Sequence, residues 1–133
     1  GKVLYLPVSM KLEDLLSRGE KYRGGVAYPT GNDGYLFSLR RGKVEMITTA
    51  PCLADGQGVT CMSVVVRHPE DLTVVYGNLN KVEVREGDIV KSGQQIGAVD
   101  TDSASPKVTI KASRNGRMID EAELLTTKSE EAK

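Results

Sequence analysis

The stretch VEVREGDIVKSGQQIG, residues 82–97, decides the fold of this chain. It holds short apolar runs separated by glycines at Gly87 and Gly93, and its valines alternate with charged residues at the start. Alternation of this kind is typical of strands that bury one face, and the glycines are typical of the turns between strands. The stretch therefore predicts paired strands connected through two glycine turns.

The same pattern continues on both sides of this stretch. From Lys21 onward, short apolar runs are punctuated by Gly, Asn and Asp, which indicates an all-β domain. The strand candidates are residues 34–39, 43–49, 59–68, 72–78, 82–84, 95–100, 107–113 and 118–119. Asn115-Gly116 predicts a two-residue hairpin turn, because both residues tolerate a positive φ.

Smaller segments flank this β region. Residues 3–8 predict a strand and residues 10–19 a short amphipathic helix that ends at Gly19, with Leu12, Leu15 and Leu16 on one face. Residues 121–125 predict a helical stub. We therefore divide the chain into an N-terminal strand and helix (1–20), a β domain (21–125) and a disordered polar tail (126–133).

Composition excludes two classes of partner. Lys plus Arg equals Asp plus Glu at 18 each, so the chain lacks the basic excess that nucleic-acid binding usually requires. It has no apolar run long enough to span a bilayer, so membrane attachment would need segments outside this sequence.

Two cysteines, Cys52 and Cys61, flank a glycine-rich turn signal with strand-like residues on either side. If the flanking strands pair as a hairpin, the two sulfurs can meet in a disulfide. Two independent, half-buried thiols remain the alternative. The pair does not suffice for a zinc site, because the chain has no other Cys and one His.

The unit at 82–97 resembles a motif shared by biotinyl and lipoyl carriers, sugar-phosphotransferase domains and LytM-type (lysostaphin-like) zinc peptidases. The flanking segments favour the peptidases. Residues 64–68 and 73–79 look like that family's strands ending in Asp-His-Gly and Tyr-Ala-His-Leu, and residues 106–116 look like its Pro-His-Leu-His-Phe-Glu block and following turn. The resemblance covers residues 21–125 and implies a barrel-sandwich fold, a duplicated hybrid motif.

The resemblance also identifies where the family's chemistry would lie. Its zinc ligands, a His and an Asp of the first motif and the second His of His-x-His, match Lys21, Gly25 and Thr109. Its two other catalytic histidines match Lys107 and Asn78. Thr is a poor zinc ligand, Gly has no side chain and a protonated Lys repels a dication. The resemblance therefore implies a vestigial groove with no zinc, no other cofactor and no catalytic residue.

Two further features of this region leave alternatives open. His68 matches a position that is not a zinc ligand in the family, and we expect it to bond a neighbouring backbone group. Lys107 and Lys111 lie on alternate positions of one predicted strand and so share a face. They are either a pair that contacts carboxylates or part of a solvated strand face.

The function implied by the resemblance is that of an inactive, exported domain of the periplasm or cell envelope. It would bind or scaffold an envelope protein, such as a cell-wall amidase, or a peptidoglycan peptide. Two alternatives remain: an active cell-wall hydrolase with a non-standard site, and a structural spacer within a larger envelope protein.

Overall fold

The computed structural model describes residues 2–53, 59–102 and 105–130 of the chain. These residues form two helices, α1 (Leu12–Arg18) and α2 (Glu121–Thr126). The strands are β1 (Lys2–Val3), β2 (Glu20–Tyr22), β3 (Gly25–Pro29), β4 (Tyr35–Phe37), β5 (Gly42–Pro51), β6 (Thr60–His68), β7 (Leu72–Leu79), β8 (Lys81–Val82), β9 (Ile89–Val90), β10 (Gln95–Ala98), β11 (Lys107–Arg114), β12 (Arg117–Met118) and β13 (Ser129–Glu130). The predicted all-β class with a short N-terminal helix is confirmed. Neither helix has the length and apolar character needed to cross a membrane.

The strands form three antiparallel sheets. The largest has the order β2-β3-β11-β7-β6-β5-β9, with β12 beside β11. A second sheet has the order β4-β10-β8, and β1 pairs with β13 in a third. Over the residues described, the large sheet stays open, with β2 at one edge and β9 at the other.

One face of the large sheet forms the core. Along β6, β7 and β11 the side chains alternate between buried and more exposed, as expected for strands with one covered face. The small sheet and both helices pack against the same cluster of apolar side chains. Its members from these elements include Val64, Val66, Val74, Tyr76, Val108, Ile110, Leu36, Ile96, Leu15, Leu124 and Leu125. The opposite face of the large sheet lies at the protein surface.

The N-terminal helix packs through fewer residues than the sequence predicts. Leu15 is fully buried and Leu12 packs at the edge of the core, but Leu16 is 37% exposed. The helix ends where predicted, because the N–H of Gly19 donates to the Leu15 carbonyl at 3.0 Å. A Cβ at Gly19 would lie 2.7 Å from the ring of Tyr28, so the close packing of helix and sheet requires glycine there.

The hairpins β2–β3 and β11–β12 have turns of the same form, in which both turn residues have a positive φ. Asn115 and Gly116 have φ values of 52° and 79°, as the Asn-Gly signal predicts, and they connect β11 to β12. Arg23 and Gly24 have φ values of 47° and 83° and connect β2 to β3. The second turn places an arginine in a conformation that usually favours Gly or Asn.

The chain ends differ from the predictions. The strand predicted at 3–8 is limited to Lys2–Val3, and Pro7, which has no N–H for a ladder, lies within the rest of that segment. Ser129–Glu130 pair with this short strand, although residues 126–133 were predicted to be disordered. This pairing uses backbone groups alone, which carry no signal in the sequence. Residues 131–133 lie outside the described part.

Candidate binding groove

The outer face of β11 forms the floor of a groove. Lys107, Thr109 and Lys111 occupy alternate positions and share this face, whereas Val108 and Ile110 point into the core. The strand lies between β3 and β7, and Thr109 is opposite Ala27 on one side and opposite Gly77 on the other.

Two clefts that share Asn78 open on this face, and together we call them the groove. The first, of about 130 Å³, is lined by Tyr22, Arg23, Ala50, Pro51, Leu53, Ser63, Asn78 and Thr109. The second, of about 240 Å³, is lined by Cys52, Cys61, Asn78, Asn80, Val99, Asp100, Asp102, Ser105, Pro106 and Lys107. A Cβ at Gly77 would lie 2.5 Å from the Thr109 Oγ1 and 2.9 Å from the Ser63 Oγ, so a glycine is needed between these two hydroxyls.

Asn78 connects the two walls of the groove. Its Oδ1 accepts the N–H of Leu53 at 2.7 Å, and its Nδ2 donates to the Lys107 carbonyl at 2.7 Å. Its φ of 66° places it in the left-handed region, which Asn tolerates better than most residues. Asn78, which the resemblance matches to a catalytic histidine, therefore has structural bonds at both ends of its side chain.

Alanine in place of Asn78 is expected to lower the free energy of unfolding by about 2 kcal/mol, because a backbone donor and a backbone acceptor lose their partner. Urea unfolding monitored by circular dichroism measures this change. Asn78→Gly is the control, since it also removes the side chain but relieves the positive φ. Equal stability of the alanine variant and the native protein would show that Asn78 does not connect the walls.

Cys52 and Cys61 form a disulfide, with their Cα atoms 4.9 Å apart. Of the two alternatives for this pair, the structure therefore has the disulfide and not two independent thiols. They lie at the ends of the β5–β6 hairpin, where Ala50 pairs with Cys61. The bond holds Leu53 at the start of the connecting segment, next to Asn78. Most of the predicted glycine-rich turn, residues 54–58, lies outside the described residues.

Lys107 is paired within the groove. Its Nζ lies 2.7 Å from the Glu20 Oε1, and its side chain is 25% exposed. The hydrogen bond from Lys107, and then its positive charge, hold the pKa of the Glu20 carboxyl below its usual range. Lys107 and Lys111 therefore do not act as two equivalent cations, because Glu20 neutralises the first.

Lys21 lies outside the groove. The two-residue turn pairs Tyr22 with Gly25 and Lys21 with Val26. Directly paired residues share a face, so Lys21 and Gly25, four apart in sequence, point to opposite faces. Lys21 instead lines a neighbouring cleft of about 520 Å³, which shares Tyr22 and Arg23 with the groove and whose lining includes Tyr28 and Glu121.

The position of Gly25 leaves no space for a side chain that could bind a metal ion. A Cβ at this position would lie 2.4 Å from the Ile110 carbonyl oxygen and 3.0 Å from the Cβ of Lys111. Contact with a backbone atom cannot be relieved by rotating a side chain. An aspartate, which the resemblance would place at this position, is therefore sterically excluded by the pairing of β3 with β11.

These residues do not fit a zinc ion. Of the five predicted groove positions, Asn78, Lys107 and Thr109 lie in the groove, Gly25 contributes backbone beside it, and Lys21 lies on the other face. In the part of the chain that the structure describes, no three His, Cys, Asp or Glu side chains are grouped as metal ligands. The local chemistry is that of hydrogen bonding and charge pairing.

His68 is buried on the core side, away from the groove. Its Nδ1 lies 2.8 Å from the Arg41 carbonyl, which can only accept, so Nδ1 carries the proton. Its Nε2 then accepts from the Tyr76 hydroxyl at 2.9 Å, and that hydroxyl accepts the Leu39 N–H at 3.0 Å. Burial lowers the pKa of His68 to about 4. The expected bond to a neighbouring backbone group is confirmed.

Other strands and turns supply groove residues that the sequence did not indicate, namely Tyr22, Arg23 and Ser63, and Glu20 pairs with Lys107 beside them. Ser63, which is 8% exposed, interrupts the apolar run of residues 59–68, and a polar residue there could have indicated that β6 contributes to a polar site. The others lie on β2 or in its turn, where a charged segment gives no apolar periodicity.

The chain belongs to peptidase family M23, whose sequence model matches residues 21–121. The fold is similar to that of a zinc-containing peptidase from Vibrio cholerae, with 17% identity and a TM-score of 0.64 over 95% of this chain and 40% of that one. A chain of the SpoIIQ–SpoIIIAH pore-forming complex has 19% identity and a TM-score of 0.64, over 93% of this chain and 91% of that one. Helicobacter pylori Csd3 has 25% identity and a TM-score of 0.65, over all of this chain and 36% of Csd3. No curated protein matches the chain significantly.

The chain thus spans less than half the length of the Vibrio cholerae peptidase and of Csd3. The predicted resemblance to LytM-type peptidases is confirmed by the family match, which covers the groove-forming strands from β3 to β11.

Proposed function

We propose that this M23 domain binds a protein segment or a peptidoglycan peptide in the groove without cleaving it. The observation that carries the proposal is the bonding of Asn78, whose side chain joins Leu53 to Lys107 at a position that the resemblance matches to a catalytic histidine. A group whose donor and acceptor are both engaged by the backbone is not available for proton transfer.

The remaining groove positions support binding over catalysis. Thr109 and Ser63 offer hydroxyls, which are weak zinc ligands but good hydrogen-bonding groups for a peptide backbone. Pro51 and Leu53 add an apolar wall. Binding clefts commonly combine a few polar groups on the floor with apolar side chains along the wall.

The cellular role that follows is that of a scaffold or regulator in the bacterial cell envelope, with an envelope protein such as a wall amidase among the candidate partners. The Cys52–Cys61 disulfide supports an oxidising compartment outside the cytoplasm. The similarity to a chain of the SpoIIQ–SpoIIIAH complex supports a protein as partner, since that relative was solved as part of a protein assembly.

Site-specific photocrosslinking tests the proposal. A photoreactive residue at Pro51, which is exposed and lines the groove, is expected to capture one envelope protein or peptidoglycan peptide that mass spectrometry identifies. The matched control carries the same residue at Lys91, which is also exposed but lies outside the groove. Equal products at both positions, or none at Pro51, would contradict the proposal, and the second result would favour a structural spacer.

A further inference from the structure

Arg23 is held at one end of the groove. It sits at the tip of the β2–β3 hairpin with a φ of 47°, and its guanidinium lies 5.4 Å from the centre of the Tyr22 ring. Both residues line the first cleft. Stacking on an aromatic ring leaves the edge of a guanidinium and its N–H groups able to bind a carboxylate.

Lys111 adds a second cation at the same turn. A Cβ placed on Gly24, next to Arg23, would lie 3.9 Å from the Lys111 Nζ, so the ammonium lies over the hairpin. The four ion pairs among the described residues occupy Arg67, Lys81, Lys107 and Arg114. In this part of the chain, no acidic side chain pairs with Arg23 or Lys111.

The other end of the groove has the opposite charge. Asp100 and Asp102 line the second cleft, and Lys107 beside them is already neutralised by Glu20. Arg23 thus lines the groove and Lys111 lies beside the same turn, so two unpaired cations are at the hairpin end and two carboxylates lie beyond Asn78. An anionic group is therefore favoured at the hairpin end alone.

We infer that the occupant of the groove is an acidic peptide segment, with a carboxylate received between Arg23 and Lys111. This inference rests on the proposed binding function and adds the chemistry of the partner. Neighbouring backbone groups of the peptide would meet Thr109 and Ser63, and its small apolar side chains would meet Pro51 and Leu53.

The test uses two end-blocked peptides, acetyl-Ala-Glu-Ala-Glu-Ala-Ala-amide and the same peptide with both Glu residues replaced by Gln. Amide NMR titration should show the acidic peptide binding with shifts at Thr109, Ser63 and Leu53. The Gln peptide should bind about tenfold or more weakly, as expected for the loss of charge-assisted hydrogen bonds. The preference should weaken with added salt.

Charge reversal separates a local effect from net charge. Arg23→Glu with Lys111→Glu should abolish the preference for the acidic peptide. Arg85→Glu with Lys91→Glu changes the net charge equally at exposed positions outside the groove and should retain it. Lys111→Glu alone, at an exposed position, should reduce the preference and remains informative if the double variant folds poorly.

The inference is overturned if the acidic peptide does not bind, if both peptides bind equally, or if the Arg23/Lys111 variant keeps the preference. These results leave the proposed function standing as long as photocrosslinking at Pro51 captures a specific partner. If that crosslinking fails but the acidic peptide still binds at Thr109 and Ser63, the proposed cellular partner is contradicted. The inferred preference of the groove for an acidic peptide then stands.

Discussion

Replacing Gly25 by aspartate, the zinc ligand that the resemblance would place at this position, is expected to lower the free energy of unfolding by about 3 kcal/mol. The Cβ would lie 2.4 Å from the Ile110 carbonyl oxygen, so β3 and β11 would have to separate, and overpacking of this kind has that order of cost. Urea unfolding measures the change.

Gly116→Asp is the matched control, because a Cβ there meets nothing within 4 Å and the strain comes from the positive φ alone. It should cost about 1 kcal/mol. Equal stability of the two variants would contradict the steric exclusion at Gly25.

The same variant also tests whether the metal site can be rebuilt. Gly25→Asp combined with Lys107→His and Thr109→His is expected to show no increase in melting temperature with zinc. Adding Lys21→His should not change this, since that side chain points to the other face of the hairpin. Strong stabilisation by zinc would show that the backbone still holds the geometry of a metal site.

The second large effect is on the pH dependence of stability, through His68. The folded protein holds the pKa of His68 at about 4, compared with 6.5 for an ordinary histidine. The unfolded chain therefore binds more protons between these values, and stability is full above about pH 6.5 and declines as the pH falls towards 4. At about 1.4 kcal/mol per pH unit, the loss is about 3 kcal/mol.

Two measurements check this prediction. Because the chain contains one histidine, its imidazole proton resonance gives the pKa directly, and we expect a midpoint near 4 in the folded protein. His68→Gln should be less stable overall, and its stability should change little between pH 6.5 and 5. Ordinary carboxylates titrate below this range, so the change there reports on His68. A midpoint near 6.5 would mean that His68 is not buried in its neutral form.

The central strands could be predicted from the sequence because their apolar pattern is strong. β6, β7 and β11 appear within one or two residues of the predicted ranges. β11 alternates apolar and polar side chains, whereas β6 and β7 carry runs of β-branched and other apolar residues bounded by turn signals. The hairpin at Asn115-Gly116 was equally clear, because its turn chemistry is local.

The edges of the sheet could not be predicted in this way. β2 has three residues, two of them charged and exposed, and β9 has two residues, so neither carries an apolar pattern. Both exist because a longer neighbour offers unpaired backbone groups. The order at Ser129–Glu130 has the same origin in backbone pairing with the N-terminus.

The structure brings only some of the predicted groove positions together, for a definite physical reason. Asn78, Lys107 and Thr109 lie together because they belong to long strands whose register the motifs fix. Lys21 was assigned by motif spacing alone, and a turn of two residues sends its side chain to the other face. Arg23 was missed because nothing in the sequence distinguishes an arginine at a turn from a solvated one.

The central claim is that this M23 domain binds without cutting, and the most direct test is an assay of cell-wall hydrolysis. Purified cell wall is incubated with the domain and added zinc, and the soluble muropeptides are separated by centrifugation and measured. Our account predicts release no greater than that of wall incubated without protein. Release that grows with domain concentration and is stopped by a zinc chelator would contradict it.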